Sequence, residues 1–342
     1  MKKENIVLCY PVEERHLEKI RQTAGDGYCI LNAGQEHIAE ALFEADIFCG
    51  HAKVPVSWDG VVAQGRLRWL QSSAAGMDHC LVPSVIASDI IVTSASGVLA
   101  NQVAEHELAL LLGWLRRFPV FLRAKEKREF IRRPTDDLYG KTVGIVGLGG
   151  VGRRLAEVLS VFGVRMIAVD MFPVDKPQEV AELWGLEGME RLFAESDIVS
   201  LNLPLNARTH HLVGRDLLSR MKPTAILANL ARGAIVDTEV LVEALEKGWI
   251  SAALLDVTDP EPLPETHPLW SMENVFFTPH VGGQCATRID DMTRMFCENL
   301  RRWKAGKPLI NYLSDKSLGF PMRSPDHPLW VDLDKSIPWD AH

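Results

Sequence analysis

The sequence predicts an α/β fold of two parallel-sheet domains separated by a cleft, and three observations carry that prediction. Its 342 residues exceed what one compact core usually supports. Short apolar runs of strand length alternate with longer stretches of helical spacing, the pattern of parallel strands covered by helices on both faces. The alternation is interrupted near residue 98 by a long segment without Gly or Pro, then restarts at Tyr139-Gly140.

Taken in order, the apolar runs at 6–10, 28–31, 45–50, 67–70 and 90–92 read as buried strands, with helical spacing at 35–43 between them. The segment 98–112 places Val103, Leu108, Leu111 and Leu112 on one helical stripe and stays apolar through Trp114 and Leu115. Pro119 is expected to end or bend that helix. Further strands follow at 143–146, 165–170, 198–201, 225–228, 252–255 and 275–277, with a helix over 151–162. A last helix over 289–303 carries Ile289, Met292, Met295, Phe296, Leu300 and Trp303 on one face, with Gly306 and Pro308 as stop signals.

The two long helices read as bridges, so the expected domains are 1–97 with 285–342, for substrate, and 98–284, for a dinucleotide. The tail after Tyr312, with Pro321, Pro325, Pro328, Pro338, Trp330 and Trp339, reads as an irregular strap on a surface.

Composition excludes several function classes. With 47% hydrophobic and 24% charged residues the chain is neither disordered nor fibrous. Its 37 Lys and Arg against 45 Asp and Glu leave a net charge of -8, a poor surface for nucleic acid. The apolar run at the start is too short for a signal peptide, and nowhere do roughly 18 apolar residues follow one another, so no membrane span and a cytoplasmic location are expected. Six cysteines without CxxC pairing read as reduced and structural. No metal is implied: adjacent His210 and His211 would face opposite sides of an extended segment.

Gly147-Leu148-Gly149-Gly150-Val151-Gly152 is a GxGxxG directly after a strand and opening a helix, and Asp170 ends the next strand. Gly147 permits the tight turn, Gly149 lets backbone approach a pyrophosphate, and Gly152 lets the helix pack close to the sheet. The helix N-terminus offers free N–H groups and its dipole to the phosphates. Asp170 would take hydrogen bonds from ribose hydroxyls and repel a 2′-phosphate, which favours NAD over NADP and makes 98–284 a Rossmann domain. A glycine-rich turn and a surface acid are the plain alternatives.

Downstream stand Leu227-Ala228-Asn229-Leu230-Ala231-Arg232-Gly233, Leu255-Asp256-Val257-Thr258-Asp259-Pro260-Glu261-Pro262-Leu263, and Phe277-Thr278-Pro279-His280-Val281-Gly282-Gly283. Upstream are Ser73-Ala74-Ala75-Gly76-Met77-Asp78-His79 and Val103-Ala104-Glu105-His106. In that order, over about 67–303, the chain resembles the NAD-dependent D-isomer-specific 2-hydroxyacid dehydrogenases. The resemblance implies two Rossmann or flavodoxin-like domains reducing a small 2-oxo acid with NADH to the D-2-hydroxy acid.

The chemistry of that reaction suits three residues. Arg232 supplies a permanent planar cation for a carboxylate. His280 supplies a proton near neutral pH. Glu261, bonded to the other ring nitrogen, orients the imidazole. Each alone could be an ordinary surface group; all three follow successive strands of one nucleotide-binding sheet, where a ligand crevice forms.

The resemblance also implies that Ala75 and Gly76 offer amides to the substrate carboxylate. It further implies that Asp256 bonds the nicotinamide carboxamide, that Leu230 and Ala231 line the ring, and that Gly150 and Val151 meet the pyrophosphate. Gly282 and Gly283 let the chain pass close to the cofactor, and Pro204 and Thr209 form the adenine-side loop. Two departures stand out: Leu99 replaces a frequent asparagine, as in the glyoxylate and hydroxypyruvate reductase branch, and Gly150 replaces a frequent polar residue. Lys53 reads either as a substrate contact or as a solvated loop lysine.

A homodimer through the bridging helix is implied, although a helix buried within its own chain would carry the same apolar 108–115 stretch. Oxidation of 3-phosphoglycerate, formate or phosphite, and an NADH-sensing, corepressor-like role, remain open alternatives.

Overall fold

The computed structural model describes residues 3–172 and 175–333, so expectations placed on Pro338 and Trp339 fall outside the described residues. The chain divides into two units: the residues through Leu99 with those from Cys285 onward, and Ala100–Gln284.

The first unit runs β1 (Glu4–Cys9), α1 (Glu14–Ala24), β2 (Tyr28–Asn32), α2 (Gly34–Ala41), β3 (Ile47–Gly50), α3 (Trp58–Gln64), β4 (Trp69–Ser72), α4 (Pro83–Ala87) and β5 (Ile91–Thr93). All pairings are parallel, in the order β2-β1-β3-β4-β5. The central strands are buried on both faces, which is why their sequences are nearly continuous apolar runs. β2 departs from the buried strand expected: it is the sheet edge, and Leu31 is 45% exposed.

The second unit runs α5 (Ala100–Leu115), α6 (Phe118–Glu126), β6 (Thr142–Val146), α7 (Gly150–Leu159), β7 (Arg165–Val169), β8 (Glu182–Trp184), α8 (Met189–Glu195), β9 (Ile198–Leu201), α9 (Arg215–Leu218), β10 (Ile226–Asn229), α10 (Thr238–Glu246), β11 (Ala252–Leu255) and β12 (Val275–Phe277). Its seven parallel strands lie in the order β12-β11-β10-β9-β6-β7-β8, so the order reverses between β6 and β9. Ligands of such sheets bind beyond the carboxyl ends of the strands at that reversal. α11 (Arg288–Lys304) belongs to the first unit, where buried His16 of α1 meets Asp290 at 2.8 Å.

Two helical expectations need correcting. Pro119 opens α6 rather than bending α5, because Arg117 at φ 61 has already broken the helix and a proline in the first turn loses no hydrogen bond. The buried face of α5 runs through Ala104, Glu107, Leu110, Leu111 and Leu115, whereas Val103, Leu108 and Leu112 are only partly buried against the same core. α5 thus spends much of its apolar surface within its own chain.

A glutamate in that buried face is costly. Glu107 is 1% exposed, and among the described residues neither carboxyl oxygen has a well-formed hydrogen bond. Burial pushes its pKa from the ordinary 4.5 up to about 7, against partial relief from the Ser200 hydroxyl on β9. Below pH 4.5 both folded and unfolded chains carry the proton; as pH rises toward 7 the unfolded chain sheds it first, so stability drains across that window and then levels off. Linkage puts the loss at about 3 kcal/mol. The Glu107→Gln variant should match the parent near pH 4.5. It should then unfold several degrees higher above pH 7, at ~2–4 °C per kcal/mol. A gap in thermal midpoint that does not change with pH would contradict this.

Candidate active site

The glycine turn after β6 is built by close approach. Gly147 has φ 96, and a Cβ there would sit 2.7 Å from the Asn202 carbonyl oxygen, while one on Gly152 would sit 2.1 Å from the carbonyl oxygen of Gly147. Gly152 therefore fixes how tightly α7 seats on its own turn. A Cβ on Gly149 would meet nothing within 4 Å, so the backbone is open where a ligand would need to approach. Gly150 and Val151 begin α7, whose first amides lack intrahelical partners. Asp170, after β7, accepts from the Leu148 amide at 2.7 Å and from the Phe172 amide at 2.8 Å, tying the acid to the same turn. This open cradle with a helix N-terminus and an adjoining carboxylate fits a dinucleotide.

After β9, Pro204 and Thr209 close one small loop, the Thr209 hydroxyl donating to the Pro204 carbonyl at 2.6 Å. After β10, buried Asn229 holds the next turn at both ends: its Oδ1 accepts from the Ala231 amide at 3.1 Å and its Nδ2 donates to the Arg232 carbonyl at 2.9 Å. Leu230 is buried in the core and Ala231 and Arg232 are partly exposed, with Arg232 Nη1 donating to the Ala231 carbonyl at 2.7 Å.

Beyond β11 and β12 two loops meet. His280 Nδ1 lies 2.7 Å from Glu261 Oε1, and both side chains are about two-fifths exposed. Nδ1 is thereby occupied, leaving Nε2 as the ring nitrogen available to a ligand. His280 itself has φ 55, left-handed for a non-glycine residue. Its amide donates to the Asp256 carbonyl at 2.7 Å. The Asp256 carboxylate, 2% exposed, accepts from the Thr278 hydroxyl at 2.6 Å and the amides of Val281 at 2.9 Å and Gly282 at 2.7 Å. Gly283 follows in the same turn.

The remaining expected residues belong to the first unit. Lys53 is exposed after β3, its amide donating to Gln35 Oε1 at 2.7 Å. Ala75 and Gly76 follow β4, exposed and half-buried respectively, and Leu99 packs partly against the first unit's core. Of the second-unit residues, the structure draws His280 and Glu261 into direct contact and places Arg232 and the glycine turn beyond strands of the same sheet.

A sequence model of the D-isomer specific 2-hydroxyacid dehydrogenase NAD binding domain matches residues 108–282. The chain belongs to the D-isomer specific 2-hydroxyacid dehydrogenase family. A glyoxylate reductase from Aeropyrum pernix is 40% identical over 253 residues, 71% of this chain and 75% of that one. The solved glyoxylate reductase from Paecilomyes thermophila has a TM-score of 0.76 at 26% identity, covering 88% of this chain and 95% of that one. An NAD-dependent formate dehydrogenase from Staphylococcus aureus, solved in complex with NAD, has a TM-score of 0.74 at 25% identity over 89% of this chain and 97% of that one. This dehydrogenase is therefore an NAD-binding oxidoreductase of two parallel-sheet α/β domains.

Two residues of the dehydrogenase site escape sequence reading. Asn229 lies inside a quoted motif, and an amide following a strand and followed by a turn is a signal for local backbone bonding. Thr278 gives no comparable signal. Among the described residues no helix is long and apolar enough to cross a membrane.

Gly149→Ala in this dehydrogenase is expected to keep the parental thermal midpoint, since its methyl enters open space, yet to weaken NADH binding by roughly tenfold or more. Fluorescence titration checks this; unchanged affinity would place the dinucleotide elsewhere.

Proposed function

We propose that this dehydrogenase reduces a small 2-oxo acid of the glyoxylate or hydroxypyruvate class to the D-2-hydroxy acid with NADH. The observation that carries the reading is the His280–Glu261 contact of 2.7 Å, made after the strands of the nucleotide-binding sheet. The glyoxylate reductases among the relatives support the substrate class.

NADH, when bound, supplies the hydride. Gly147, Gly149, Gly150, Val151 and Gly152 hold its pyrophosphate, Asp170 its ribose hydroxyls, and Pro204 and Thr209 flank the adenine side. Leu230, Ala231, Asp256, Gly282 and Gly283 bound the nicotinamide end. Arg232 neutralises the substrate carboxylate with its guanidinium; Ala75, Gly76, Lys53 and Leu99 are the first unit's own candidates for substrate contact. His280 donates a proton from Nε2 to the carbonyl oxygen as negative charge develops there. Glu261, accepting from Nδ1–H, fixes the ring's orientation.

A homodimer is part of the same reading, supported by exposed Phe118 and Leu122 on α6 and by Phe130, which is 94% exposed. A cytoplasmic setting is supported by six free thiols, which persist in a reducing compartment.

Purified protein should oxidise NADH with glyoxylate or hydroxypyruvate faster than with bulkier 2-oxo acids. His280→Ala should lower kcat roughly 10²- to 10⁴-fold with NADH affinity retained. Tight NADH binding without turnover of any 2-oxo acid would overturn the assignment, and near-parental kcat in the variant would remove His280 from its role.

A further inference from the structure

His106, on α5, has no part in the chemistry assigned above, yet its ring touches the group on which the His280 turn is built. Its Nε2 lies 2.8 Å from the Thr278 hydroxyl and 3.6 Å from Asp256 Oδ1, and the side chain is 23% exposed. The Thr278 hydroxyl in turn donates to Asp256 Oδ1 at 2.6 Å.

Proton counting fixes the direction of this chain. The other contacts of the Asp256 carboxylate are backbone amides, which are donors, so the carboxylate accepts throughout. A threonine hydroxyl has one proton, and here it goes to Asp256. The threonine oxygen can then only accept from His106, so Nε2 must carry hydrogen. Were Nε2 bare, the one hydroxyl proton would have to serve two acceptors, and either Asp256 or His106 would face an oxygen lone pair at close range.

We propose that His106 is a positioning residue for the reaction: its Nε2–H locks the Thr278 hydroxyl onto Asp256, and the locked carboxylate holds the backbone on both sides of His280. The need for such a lock lies in His280 itself. A non-glycine residue at φ 55 stays there only where its surroundings over-determine it. Here the constraints are its amide on the Asp256 carbonyl, and Thr278, Val281 and Gly282 on the Asp256 carboxylate. Without His106 the hydroxyl can rotate away, Asp256 loses a donor in a buried site, and the imidazole samples orientations from which it cannot reach its substrate. The inference rests on the role given to His280 under the proposed function.

The test is a mutant cycle. His106→Leu and Thr278→Val should each lower kcat roughly tenfold in a protein that still folds. Because both break one chain, the double variant should also lose roughly tenfold rather than a hundredfold. His106→Gln and Thr278→Ser, which keep the donor and the hydroxyl, should recover kcat to within about threefold. Parental kcat in His106→Leu, or losses that multiply in the double variant, would overturn the proposal.

A second readout needs no turnover: ¹⁵N spectra of the labelled parent, with the His106 signals identified by their loss in His106→Leu, should show Nε2 protonated at neutral pH. A bare Nε2 would refute the chain of bonds even in an active enzyme. An inactive parent with Nε2 protonated would instead refute the substrate reading while leaving the bond chain standing.

Discussion

The buried carboxylate of Asp256 is the constraint around which the site is organised. It accepts three hydrogen bonds from the segment Thr278 to Gly282, and its own carbonyl accepts the His280 amide. One residue at the end of β11 therefore shapes the turn that follows β12, a short strand whose conformation alone would not fix a loop. An ionised group in a position 2% exposed is tolerable only because donors surround it. Those same donors hold the imidazole in a conformation that most residues avoid. Gly282 belongs to this arrangement, since a Cβ there would come within 2.8 Å of the carboxylate.

Much of the site was legible because its chemistry depends on residue type. Close backbone approach at Gly147 and Gly152 admits only glycine, and the imidazole of His280 meets the Glu261 carboxylate that the motif order sets beside it. What the sequence could not disclose were bonds that depend on register between distant loops. Thr278 and His106 are 172 positions apart and meet only because α5 and the β12 turn pack in one unit. Asn229 was missed for the opposite reason: its bonds are local and look like any turn.

The fold followed the same division. Central strands, buried on both faces, announced themselves as unbroken apolar runs. Among the edge strands, β2, β5 and β12 are read as strands but β2 alternates with solvent rather than being buried, and β8, three half-buried residues Glu182–Trp184, is not read at all. Helix α1, polar along most of its length, was not anticipated because one narrow stripe of His16, Ile20 and Ala24 is all it buries. In α5 the expected stripe holds at Leu111, while Val103, Leu108 and Leu112 are only partly buried and the buried face also takes in Glu107.

His280 and Glu261 each keep about two-fifths of the side chain exposed. In the proposed reaction a single substrate engages the guanidinium and the imidazole together. The most direct measurement is a crystal structure with NAD and an unreactive 2-oxo acid analogue such as oxamate. The analogue's carboxylate should lie on the Arg232 guanidinium and its carbonyl oxygen about 3 Å from His280 Nε2. An analogue bound with its carbonyl turned away from that imidazole, or held by other cations, would contradict it.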